Sequence, residues 1–150
     1  MLRDALLLYL HISAILGLAV FMTAKTSLCR TGAIVQAALP RLRRIDVWIW
    51  ACYVSVVSSG AALVVWGIQG PDWLLRNPLL WGKIVLLAAM MAMAVPSTLR
   101  LSAWARNAAG TASWVAPDAE VKRERHWLML QSHVMVVIPL LATLLTHGFG

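Results

Sequence analysis

The sequence predicts an all-α membrane protein, an antiparallel bundle of four transmembrane helices. Three observations carry this. Four mostly apolar stretches, 5–24, 47–69, 79–99 and 127–146, each approach the ~20 residues a helix needs to cross the hydrocarbon core. Lys83 is the only full charge inside them. The 150-residue chain is 61% hydrophobic, well above the apolar share of soluble domains, and its length leaves no room for a separate soluble domain.

Each element has its own signals. The first stretch does not read as a cleavable signal. It exceeds a signal's apolar region, Asp4 breaks the basic start, and Lys25 follows with no small-residue cleavage site. Pro40 is expected to start the second helix ahead of its span. Asn77-Pro78 pairs an N-cap residue with proline at the first helical position, so the third span's helix starts there. Ala116-Pro117-Asp118 opens the fourth in a similar way, with Asp118 and Glu120 at the positive end of the helix dipole. That helix projects about three turns before entering lipid at Trp127. Segments 31–39 and 107–115 read as connectors, and 70–77 as a loop.

Inside the spans, Pro96 and Pro139 each remove a backbone donor and free a carbonyl one turn back, at Ala92 and Met135. Neighbouring helices can satisfy such groups. Ser13 and Gly17 on the first helix, and Ala51, Ser55 and Ser59 beside Gly60 on the second, form stripes of small residues. Their expected use is close helix approach, within the bundle or across a homo-oligomer.

Charge gives an orientation. Of thirteen Lys and Arg residues, ten follow the first span (Lys25, Arg30, Arg41, Arg43, Arg44) or the third (Arg100, Arg106, Lys122, Arg123, Arg125). The positive-inside rule puts both connectors in the cytoplasm and both termini in the periplasm. Trp48, Trp50, Trp104, Trp114 and Trp127 near the inner ends, and Trp66, Trp73 and Trp81 near the outer ends, match aromatic belts. The net charge of +7 does not imply a nucleic-acid partner, because the cations flank spans with no binding module behind them. The implied partner is the lipid bilayer.

Ionisable groups at membrane depth are default functional candidates. They are His11, Lys83 and His133, with Asp46 at the boundary. His11 and Lys83 fall roughly 10 Å and 7 Å below the outer boundary at ~1.5 Å per residue. They could share a ligand or bond each other. The plainer readings are an interhelical hydrogen bond for His11 and a snorkelling ammonium for Lys83. His133 enters from the other side and is expected about 10 Å from His11 along the membrane normal. That opposes a haem ligated by both histidines and favours a polar packing cluster of His133 with Gln131 and Ser132. Asp46 is expected to pair with Arg43 at i, i+3. Met90, Met91 and Met93 could hold Cu(I), but helical spacing scatters them, so packing is the expected use. Cys29 and Cys52 face a reducing compartment and show no metal spacing. No nucleophile–base set, phosphate loop or carboxylate pair stands out, which leaves hydrolase and kinase readings unsupported.

These residues carry a resemblance. LLLYLHISAI around His11, RRIDVW around Asp46, RNPLLWGK ending at Lys83, VPSTLR and IPLLATLLTHGFG resemble a bacterial inner-membrane family defined as a domain of unknown function. The resemblance covers nearly the whole chain and implies an inner-membrane location. The LH pair at His11 and the W-x-K setting of Lys83 are also similar to the HemJ type of membrane protoporphyrinogen oxidase, and distantly to the CopD copper-resistance type. The HemJ resemblance implies haem b at His11, the metal ligand, with Lys83 in the cofactor site. The further histidines and acidic motif of that oxidase are absent here, so the oxidase activity does not carry over. The expected function is binding of haem or a related porphyrin in the outer half of the bundle, for redox or porphyrin handling. A membrane subunit or scaffold without cofactor is the alternative, and an oligomeric metal or small-solute transporter the third.

Overall fold

The structure is a computed structural model describing residues 2–67, 71–111 and 113–146. Four long helices dominate it: α1 (Leu2–Leu28), α2 (Leu39–Trp66), α4 (Pro78–Ala108) and α5 (Asp118–Thr146), with a short α3 (Pro71–Arg76) and a 3₁₀ turn over Gln36–Ala38. Three helical stretches, Leu2–Leu28, Gln36–Trp66 and Pro78–Ala108, are long and apolar enough to cross a membrane. The helix α5 runs through the fourth expected span. The far-end side chains of that span, Gln69 and the side chain of Trp73 lie outside the described residues.

Helix ends follow the expected chemistry. The Asn77 side chain accepts a bond from the Leu79 amide at 2.9 Å and Pro78 takes the first turn of α4. Pro40 sits in the first turn of α2, and Asp118 and Glu120 in the first turn of α5. Both α4 and α5 continue through their internal prolines, Pro96 and Pro139. The segment read as a loop contains α3, which Pro71 opens with Asp72 in its first turn. Proline's fixed φ and an acidic first turn both favour a helix start there.

Cross-helix contacts make the bundle antiparallel and closed. Along α1 and α2, His11 meets Ser59, Gly17 faces Cys52 and Lys25 meets Asp46. Trp50 on α2 meets Thr98 on α4, and Gln131 on α5 meets Met90 on α4. Lys25 and Glu124 join α1 to α5. The two connectors are stitched to each other. Val35 and Val115 form an isolated bridge, and Ala116 N–H donates to the Ile34 carbonyl at 2.9 Å.

The distribution of polarity is inverted relative to a soluble protein. Leu16, Val20, Val54, Val85 and Val136 are exposed, while Lys25, Asp46, Ser59, Ser97, Glu124 and Gln131 are buried. Apolar surface of this kind is stable against lipid and not against water. Of the small-residue stripes, Gly17 and Gly60 take the close contacts. A Cβ on Gly17 would lie 3.2 Å from Cys52 Sγ, and one on Gly60 would lie 3.2 Å from the His11 ring. Ser13 and Ala51 are exposed.

Candidate functional site

Two polar sites occupy opposite ends of the bundle. The larger lies at the connector end and draws on all four long helices. Lys25, 2% exposed, donates to Asp46 Oδ1 and to Ser97 Oγ, each at 2.5 Å. Ser97 passes its own proton on to Glu124 Oε1. Arg100 pairs with Glu124 Oε2. Thr98 donates to Asp46 Oδ2 at 2.7 Å and accepts from the Trp50 indole at 2.9 Å. Beside this cluster the Trp104 indole, 1% exposed, donates to Glu120 at 2.6 Å. Two cations thus face two anions, and each charge has a partner. Desolvating four charges is costly, and their mutual bonds are what offset it.

This arrangement corrects the sequence pairing of Asp46 with Arg43. Both Asp46 oxygens are taken by other helices, while Arg43 is exposed. The aromatic-belt reading is also revised in part. Trp48, Trp66, Trp81 and Trp127 are exposed, whereas Trp104 is core and Trp50 belongs to the polar cluster. Cys29 packs against the same end, in an apolar cluster with Ile34, Leu39, Leu42 and Trp104. Burial, reinforced by the Glu124 charge, pushes its thiol up to about 12. It is a protonated core group.

The smaller site lies toward the α3 end. His11 is half-buried, and its Nδ1 lies 2.9 Å from Ser59 Oγ. The Ser59 hydroxyl also lies within donating distance of the Ser55 and Val56 carbonyls, and with its proton on either one its oxygen accepts from His11. In that arrangement the ring proton sits on Nδ1 and the lone pair on Nε2. Half-buried Lys83 lies about one turn nearer the α3 end, close enough for its charge to reach the imidazole. So the structure places His11 and Lys83 in one region of the bundle.

His133 is elsewhere. Its ring is exposed and its Nδ1 bonds to the Met129 carbonyl of its own helix at 2.7 Å. The polar cluster expected around it divides. Gln131, 3% exposed, crosses to the Met90 carbonyl at 2.8 Å, while Ser132 bonds back to Leu128. The contacts of Gln131 put His133 within about one turn of the His11 level, ~5 Å, less than the depth estimate. What separates the histidines is the face of α5. Met90 is buried, and Met91 and Met93 pack partly into the same cluster around Tyr53. No group of three metal-binding His, Cys, Asp or Glu residues occurs among the described residues.

A family model described as "Predicted membrane protein (DUF2214)" matches residues 3–150. The chain belongs to this family. No curated protein and no solved structure matches the chain. In this DUF2214 member, Lys25 and Glu124 are the residues that sequence reasoning missed. In sequence, Lys25 reads as a connector cation, and Glu124 sits in a run with Lys122, Arg123 and Arg125. One signal was available. Six acids against thirteen bases means that an acid at a span border has many suitors, and a local one is not preferred.

Proposed function

We propose that this integral membrane protein binds haem b or a related porphyrin in the α3 half of the bundle, with His11 Nε2 as the iron ligand and Lys83 beside it. The observation that supports this is the Ser59 hydroxyl. With its proton on a carbonyl of its own helix it supports the tautomer that keeps a lone pair on Nε2, as hydrogen-bond partners do for ligating histidines. Gly60 lets the ring lie against α2, and Lys83 offers a cation to the porphyrin carboxylates. When bound, haem supplies one-electron transfer. His11 alone of the two would hold the iron, since the His133 ring is exposed and bonded to its own helix. The purified protein is expected to show Soret absorption, lost in His11→Ala and altered less by Lys83→Met, because imidazole is the stronger ligand at neutral pH. Wild-type protein without Soret absorption, even after added haemin, overturns the reading.

The second reading is a membrane subunit or scaffold without a cofactor. It is favoured by the connector-end cluster, whose charges are used up on one another and so hold shape. For either reading we place the protein in a bacterial inner membrane with the connectors in the cytoplasm, on the ten-to-three division of cations. A reporter active only in the periplasm should work after Gly150 and fail within 107–115. The opposite pattern reverses the orientation.

A further inference from the structure

A groove of about 480 Å³ runs between the first turns of α2 and the last turns of α4. Its rim carries Arg43 and Arg44, and its apolar floor includes Leu39, Val47, Ala105 and Ala108. Both arginines are exposed, and among the described residues neither has a carboxylate within ion-pair distance. Asp46, the acid nearest Arg43 in sequence, is spent on Lys25 and Thr98. Trp48, one turn along α2, is exposed and stacked on Phe21 at 5.8 Å. An exposed tryptophan at this position marks the membrane interface, so the arginines stand at headgroup level and Val47 faces the acyl region.

We infer that this groove seats an anionic phospholipid, its phosphate held by Arg43 and Arg44 and an acyl chain lying along Val47 and Ala105. Charge complementarity sets the headgroup class. Two unpaired guanidiniums in one rim suit a phosphate, which each can engage through two N–H donors. The apolar floor continuous with the lipid-facing side of α2 sets the source. A free phosphate would use the rim and leave the floor bare, whereas a lipid of the surrounding bilayer uses both. Basic pockets between helices at the membrane surface are the setting in which anionic headgroups bind.

The test uses the full chain in mild detergent. Native mass spectrometry would follow retention of dioleoylphosphatidylglycerol, dioleoylphosphatidylcholine and inorganic phosphate. The phosphatidylglycerol is expected to be retained in preference to the choline lipid. The double variant R43Q/R44Q should lower that preference about thirty-fold, the effect of two interfacial cations. Ala105→Phe fills the floor, keeps both charges, and should also weaken retention. Arg76→Gln, at the other end, should change nothing. Equal retention of the two lipids, an undiminished preference in R43Q/R44Q, or phosphate bound as well as the lipid would each overturn the proposal. So would a second copy of the chain occupying the groove when phosphatidylglycerol is present.

Discussion

At the connector end, burial runs unbroken from Cys29 and Ile34 through Leu42, Leu101, Trp104 and Val121 to Glu124. Toward the α3 end, the described residues that are buried thin out to Ala14, Val56, Ser59, Asn77 and Leu80. Polar groups follow the same division. Lys25 and Glu124 are enclosed and held by side chains of other helices, whereas His11 and Lys83 are half-buried. In lipid, apolar burial alone gives little drive for helices to associate. One end is therefore closed by packing and charge together. The other, among the described residues, is less deeply buried and holds its polar groups half-exposed.

The largest test of this contrast pits two lysines against each other. Lys25→Met leaves Asp46 and Glu124 buried without their shared cation and should cost about 3–5 kcal/mol. Lys83→Met should cost under about 1 kcal/mol, because among the described residues no acid pairs with it. Thermal unfolding in detergent compares the two, and equal losses would abolish the contrast.

Cys29 sharpens it through pH. Its folded pKa is raised above the ordinary value of 9.0 to about 12. The associated stability is present in full below pH ~9 and is lost as pH rises from there towards ~12, because only the unfolded thiol ionises in that window. Folded protein should accordingly resist iodoacetamide at Cys29 at pH 8 and react once denatured. Rapid alkylation of native protein there would show that the connector end opens readily.

The smallest effect concerns Tyr53, in the middle of the bundle. Its side chain is buried and, among the described residues, its hydroxyl has no partner. Removing an unsatisfied buried hydroxyl is close to neutral or stabilising. Tyr53→Phe should shift stability by less than about 1 kcal/mol in either direction, read from the same melts. A large loss would reveal a bound water or ligand at that hydroxyl.

Where the sequence speaks locally, the structure follows it. Asn77-Pro78 starts a helix because the cap and the proline act within one turn, and Pro40 and Asp118 work the same way. The spans were legible because about twenty apolar residues in a row have few other uses. The connector-end cluster was not legible. Lys25 and Asp46 are 21 residues apart, and Lys25 and Ser97 are 72 apart, so no local rule joins them. The i, i+3 rule even offered Asp46 a wrong partner. At the other end, His11 stood out because a histidine in an apolar run is rare. Its tautomer depends on Ser59, 48 residues away, and only the fold supplies that.

The pairing inside the cluster follows the order of the chain. Lys25 and Asp46 cancel within the α1–α2 hairpin, and Arg100 and Glu124 within the α4–α5 hairpin. Each hairpin thus balances a connector-end charge internally, while Lys83 stands outside both pairs. Ser97 and the 3.8 Å approach of Lys25 to Glu124 then join the halves. The four charges thus form two pairs, each local to one hairpin, with the serine hydroxyl as the seam between them.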